Sequence, residues 1–250
     1  LDFTRSHEVR GRDAKMKYGA SYTFKYRDYE ILRYQLRAKS LGNLNPLTGE
    51  ADELLSEDFV WNVITDAGTY YSGNYEANNA YQGIQSNLAG YIHEEFSLNP
   101  LTKMVVGLRM ERYDQFYTGV DQQEAAAPGT GINYQLEPVL NNFNLFPTAS
   151  LIYSVNENSN LRFGAFRTVA RPSFKEKSAA QIEDVLTGIT FIGNLDLVNT
   201  TISNLDFRYE YFFEGGQTVG LSGFYKYFEN PIELVAYSAA APSNFQPRNV

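Results

Sequence analysis

Lys15-Met16-Lys17-Tyr18-Gly19-Ala20-Ser21-Tyr22-Thr23-Phe24-Lys25-Tyr26-Arg27 decides the fold. Met16, Tyr18, Ala20, Tyr22, Phe24 and Tyr26 fall on one face, and Lys15, Lys17, Gly19, Ser21, Thr23, Lys25 and Arg27 on the other. A period of two is that of a β-strand with one apolar and one polar side. The pattern returns at residues 103–117, where Met104, Val106, Leu108, Met110 and Phe116 oppose Lys103, Arg109, Glu111, Tyr113 and Gln115. Arg112 and Asp114 interrupt that apolar face near its far end. A third copy at residues 204–212 sets Leu205, Phe207, Tyr209 and Tyr211 against Asn204, Asp206, Arg208 and Glu210.

Weaker copies occupy residues 87–98, 148–155, 160–168 and 218–228, and residues 1–5 read as the end of one more strand. Most run for about 9 to 13 residues. Strands of soluble domains are most often about 5 or 6 residues long, whereas a tilted membrane-crossing strand needs about 9 to 11. Compact turn sequences at residues 99–102, 156–159 and 214–217 alternate with long links at 28–86, 118–142, 169–203 and from 229 onward. Strict alternation of short and long connections is what an up-and-down barrel with short periplasmic turns and long extracellular loops produces. The predicted fold is therefore all-β, an antiparallel up-and-down transmembrane β-barrel seen in part, with about seven to eight strands. Only residues 51–55 and 179–186, both within long links, read as helix-compatible.

Composition agrees. The 250 residues include 19 Tyr and 17 Phe but 1 Trp, 3 Met and no Cys. No run of about 18 apolar residues exists, which excludes a helical membrane span, while alternation lets a barrel wall keep the mean hydropathy of a soluble protein. A net charge of −8 argues against a nucleic-acid partner, which requires a basic face. Without cysteine there is neither a disulfide framework nor a thiolate metal site. His93 and Glu95 are the two neighbours on one strand face able to share an ion, too few for a metal centre, so no cofactor is expected. No nucleophile elbow, phosphate loop or zinc-protease pattern supports catalysis.

The candidate site residues lie on the polar faces: Arg109, Glu111, Arg162, Asp206, Arg208 and Glu210 are expected to project into a lumen, foremost as a charge ladder and secondarily as contacts for a plug or solute. Arg171-Pro172 reads first as a strand end, because proline has no N–H for a ladder, and second as an anchor for a loop over the entrance. Tyr18, Tyr22, Tyr26, Tyr209, Tyr211, Tyr225 and Tyr227 read as lipid-facing and interfacial girdle residues.

Several segments resemble the barrel of TonB-dependent receptors, particularly the large ones of Bacteroidota. The most specific is Leu161-Arg162-Phe163-Gly164-Ala165-Phe166-Arg167-Thr168-Val169-Ala170-Arg171-Pro172-Ser173-Phe174, a strand ending in Thr-x-Ala-Arg-Pro-x-Phe. Gly193-Asn194-Leu195-Asp196-Leu197, Gly107-Leu108-Arg109-Met110-Glu111, Phe146-Pro147-Thr148 and Phe224-Tyr225-Lys226-Tyr227-Phe228-Glu229-Asn230-Pro231-Ile232 add to it. Where Leu195 stands the family more often has proline. The resemblance covers residues from about 15 to 250. It implies a bacterial outer-membrane location, a 22-stranded barrel, and energised uptake of a siderophore, cobalamin, glycan or peptide. It also implies as partners outer-membrane lipid, a plug domain, the TonB complex through an N-terminal region, and a surface lipoprotein. Residues 1–250 would be a fragment of the barrel domain, with plug and TonB box absent. The alternative reading is a non-transport barrel, an adhesin or surface scaffold whose long loops form the binding surface.

Overall fold

A computed structural model describes residues 1–40, 52, 56–57, 59–184, 186–236 and 244–250. In chain order the elements are β1 (Asp2–Val9), β2 (Arg12–Tyr29), β3 (Leu32–Lys39), β4 (Gly68–Tyr75), β5 (Tyr81–Asn99), β6 (Thr102–Val120), α1 (Gln122–Ala126), β7 (Asn133–Asn156), β8 (Ser159–Ala170), β9 (Gln181–Asp184), β10 (Ile189–Ile192), β11 (Thr200–Phe212), β12 (Thr218–Glu229), β13 (Ile232–Ala236) and β14 (Asn244–Asn249). The wall is an eight-stranded antiparallel sheet in the order β1-β2-β5-β6-β7-β8-β11-β12. Each wall strand pairs with the next one in sequence once the β3–β4 and β9–β10 excursions are set aside, as an up-and-down meander requires.

Alternation translates directly into two faces, because residues paired across an antiparallel ladder share a side. Tyr22 pairs with Leu88, Leu88 with Arg112 and Arg112 with Phe143. On the opposite side Tyr91 pairs with Arg109, and Arg109 with Phe146. The apolar face is left open, with Tyr22 65% and Leu221 67% exposed, a state that water penalises and lipid does not. All seven girdle tyrosines lie on that face.

Sequence and structure differ in three respects. The segment read as a strand end at residues 1–5 is a full partner strand, and β2 starts at Arg12, because Arg10 (φ 55°) and Gly11 (φ 72°) form a two-residue hairpin turn. Two consecutive positive φ values suit the right-handed twist of the flanking strands, and neither residue is punctuated by proline or asparagine. Wall strands are longer than predicted, with 18 residues in β2, 19 in β5 and β6 and 24 in β7, so they continue past an apolar belt into the loop region. The helix-compatible residues 179–186 instead supply strand β9, since Ile182 packs toward the aromatic cluster described below while β10 pairs alongside. Of the other such segment, residues 51–55, all but Asp52 lie outside the described residues.

The long links carry structure of their own. β3 and β4 form a separate hairpin, and β13-β14-β10-β9 form a four-stranded sheet in which β10 and β14 run parallel. Helix α1 starts at Asp121, whose side chain accepts the Glu124 N–H at 2.7 Å and the Ile132 N–H at 3.0 Å, closing the 121–132 loop on itself.

Candidate functional site

The polar-face candidates gather into two groups. On β6, Glu111 is only 7% exposed. Its Oε1 accepts from Arg109 Nε at 2.7 Å, and its Oε2 from Arg171 Nη2 at 2.6 Å and from Asn87 Nδ2 at 3.3 Å. Arg171 also lies over the Tyr113 ring, with its guanidinium carbon 4.5 Å from the ring centroid, and Tyr113 Oη donates to Gln115 Oε1 at 3.1 Å. Nearer the short turns, Arg162 of β8 and Arg208 of β11 stand directly opposite each other, a repulsive pairing. Glu210 resolves it by binding Arg162 Nε at 2.7 Å and Arg208 Nε at 2.8 Å. Asp206, opposite Gly164, has no ion pair among the described residues. His93 stacks on Tyr91, while Glu95 is held by Lys103.

Sequence reasoning underrated Arg171. Strand β8 does end at Ala170, next to Pro172, but the Arg171 side chain then reaches across β7 to a carboxylate 60 residues away. The chain beyond follows it back onto the polar face. Phe174 covers Gly83 so closely that a Cβ there would meet its ring at 2.4 Å, which explains the absence of a side chain at residue 83. Next to it, Tyr29, Tyr81, Tyr117 and Tyr134 form an aromatic platform near the long-loop end. Tyr29 and Tyr81 are 5.1 Å apart by ring centroid, Tyr81 and Tyr117 stack at 5.9 Å, and Tyr134 meets Tyr117 edge-on at 5.5 Å. Ala179, Ala180, Ile182 and Leu195 pack on this platform, and the Ala179 N–H donates to Tyr117 Oη at 3.2 Å. The Gln181 N–H donates to Asn79 Oδ1 at 2.8 Å, tying the same segment to the turn between β4 and β5. No local signal marked these tyrosines, because period two shows the face on which a side chain lies and not what folds onto it.

Lys177 holds the folded-back segment together. It is 2% exposed, and its ammonium donates to the Leu197 carbonyl at 2.7 Å and to the Leu195 carbonyl. Its turn is braced by a reciprocal cap, in which the Ser173 N–H donates to Glu176 Oε2 at 2.7 Å and the Glu176 N–H to Ser173 Oγ at 3.3 Å. Burial pushes the ammonium down to about 8, against the smaller opposing pull of Asp196. Below that pH the docked and free segments both carry the proton, and docking bears the cost of burying a charge. Between about 8 and the ordinary 10.5 the docked segment sheds a proton that the free one keeps, so docking strengthens as pH rises through this window. A nitroxide at Thr187 should accordingly lose mobility from pH 8 to 10.5, and Lys177→Met should flatten that response.

The final link closes the arrangement from the other side. Asn194 Nδ2 donates to the Pro247 carbonyl at 3.1 Å, the Val198 N–H to Asn249 Oδ1 at 2.9 Å, and Asn249 Nδ2 to the Asn230 carbonyl at 2.8 Å. Between β3, β9 and β10 lies a polar cleft of about 470 Å³ lined by Arg33, Glu76, Asn78, Asn79, Gln181, Glu183 and Thr190. Arg33 spans it, binding Glu76 and Glu183 at 2.9 Å each. Among the described residues no three potential metal ligands come together.

A meander wall with one exposed apolar face, one charged polar face and a long link folded back onto the polar face is the architecture of an outer-membrane β-barrel wall. The chain belongs to the TonB-dependent receptor-like β-barrel family, whose model matches residues 2–250, and its place is the bacterial outer membrane. That family is one of receptors and transporters. Two solved structures match the chain. The alcaligin outer-membrane receptor FauA of Bordetella pertussis is 11% identical with a TM-score of 0.48, over 99% of this chain and 32% of its own. The siderophore receptor PirA of Pseudomonas aeruginosa is 13% identical with a TM-score of 0.41, over 100% of this chain and 50% of its own. The chain thus spans about a third of one of these receptors and half of the other. No curated protein sequence matches it.

Proposed function

We propose that this chain supplies wall and vestibule to a TonB-dependent transporter that takes up a polar solute across the outer membrane. The observation that carries the reading is the segment between β8 and β11, pinned to the polar face through Arg171 and Glu111 and packed on the tyrosine platform, where it narrows the way in. The polar face is then the lumen side. Arg109, Glu111, Arg162, Arg208 and Glu210 set a fixed charge pattern there, and Asp206, without an ion pair among the described residues, is left for a plug or solute. The Arg33 cleft, with guanidinium, carboxylate and amide groups at its rim, suits a hydroxyl- or amide-rich solute better than an apolar one. The sheet edges β1 and β12 would continue into further strands of the parent barrel, because unpaired backbone in lipid costs several kcal/mol per group. The plug, the TonB complex and a surface lipoprotein are partners of that whole protein, and the wall itself is not catalytic.

The test is uptake by cells carrying the full-length gene, its deletion, or Arg33→Ala, with labelled siderophore, cobalamin, oligosaccharide and peptide, with and without an uncoupler. Energy-dependent uptake of one class should vanish on deletion and fall at least several-fold in Arg33→Ala. Undiminished uptake of every class on deletion would overturn the transport reading in favour of a surface adhesin.

A further inference from the structure

On the apolar face a groove of about 500 Å³ crosses β7, β8, β11 and β12. Its floor is the backbone of Ser150, Gly164, Asp206 and Phe224, which lie in one cross-strand row. The row on the short-turn side is Leu151, Phe163, Phe207 and Gly223, and the row on the long-loop side is Ala149, Ala165, Leu205 and Tyr225. Two residues of strand separate these rows, roughly 7 Å, about the width of one hydrocarbon chain. The groove exists because Ala149, Ala165 and Gly223 leave space between neighbouring leucine and aromatic side chains.

One strand step above Ala165 on the same face stands Arg167, exposed and with no ion pair or side-chain hydrogen bond to any described residue. The other arginine in the upper part of this face, Arg112, is neutralised by Asp114, with Nη2–Oδ1 and Nε–Oδ2 both at 3.1 Å. From the start of β8 at Ser159, the rise of a tilted strand lifts Arg167 roughly 20 Å above the short turns. In an apolar band about 25 Å tall this is the headgroup side of the outer leaflet. An uncompensated guanidinium there needs an anion, and a lipid phosphate matches its planar fork of donors.

We propose that this groove and Arg167 together bind one anionic, phosphate-bearing lipid of the outer leaflet, with an acyl chain along Ala149, Ala165 and Gly223 and the phosphate on Arg167. The proposal rests on the apolar face being the lipid face. It can be tested on the full-length protein, purified from outer membranes in mild detergent, exchanged into phosphatidylglycerol or phosphatidylcholine, and weighed by native mass spectrometry. Wild type should retain one phosphatidylglycerol through detergent washing and little phosphatidylcholine. Arg167→Gln should weaken retention roughly five- to tenfold, Ala165→Leu should abolish it by filling the groove, and Arg112→Gln should leave it unchanged. Equal retention by wild type, Arg167→Gln and Ala165→Leu, or equal retention of the two lipids, would overturn the site. Failure of the parent to fractionate with the outer membrane, or loss of heat-modifiable gel migration in wild type, would instead overturn the barrel reading on which it rests.

Discussion

Tyr117→Ala should free the segment between β8 and β11 from the wall, at a cost of about 3 to 5 kcal/mol in docking. Tyr117 is 2% exposed and sits at the centre of the platform, stacked on Tyr81, met edge-on by Tyr134, and accepting the Ala179 N–H at 3.2 Å. Truncation removes the ring against which Ala179 and Ala180 pack and leaves a cavity that the paired strands β5 and β6 are too constrained to close. Tyr117→Phe keeps the ring and loses one hydrogen bond, so about 1 kcal/mol is expected. Hydrogen exchange on the full-length protein distinguishes the two. In Tyr117→Ala the amides of residues 171–199 should exchange more than a hundredfold faster while those of β5 and β6 keep their protection. Loss of protection spread evenly over the wall strands would mean that the tyrosine supports the barrel itself and not the loop.

Glu111→Ala is the second large effect, about 2 to 3 kcal/mol. The carboxylate is almost wholly covered and binds two guanidinium groups and an amide, so its removal strands Arg109 and Arg171 together without a counter-charge. Arg171 is the more buried of the two, with 19% of its side chain exposed, and its Nε already lacks a hydrogen-bond partner among the described residues. Arg171→Ala should cost less, because Glu111 keeps Arg109 and Asn87. The double variant should cost less than the sum, since Arg171 is then no longer left without its counter-charge and only the more exposed Arg109 loses its partner. A double-mutant cycle read as exchange rates of residues 171–199 measures this coupling, and strict additivity would show that Arg171 does not hold the loop through Glu111.

Much of this protein was legible from local pattern. The alternation at residues 15–27, 103–117 and 204–212 assigned faces that pairing such as Tyr22 with Leu88 and Tyr91 with Arg109 reproduces. Turns at 99–102, 156–159 and 214–217 stand where the residue types place them. The hairpin at Arg10-Gly11 escaped because positive φ at an arginine has no compositional mark. Residues 179–186 looked helical because Ala179, Ala180, Gln181, Glu183 and Leu186 favour a helix wherever packing does not decide. Here packing decides, since Ala179, Ala180 and Ile182 are drawn onto the platform and β10 supplies a neighbouring strand.

The division has a physical cause. Side-chain direction along a strand repeats every two residues, so the sequence by itself determined the wall, its two faces, its girdle and the alternation of short and long links. A loop has no such repeat, and its position depends on contacts between residues far apart in the chain: Arg171 with Glu111, Gln181 with Asn79, and Asn194 with Pro247. Only the tertiary structure decided that the segment after β8 folds back onto the polar face, packs on four tyrosines, two of them buried, and buries a lysine. The same limit applied to the small residues Ala149, Ala165 and Gly223, which lie on three strands and form a groove only once their register is fixed.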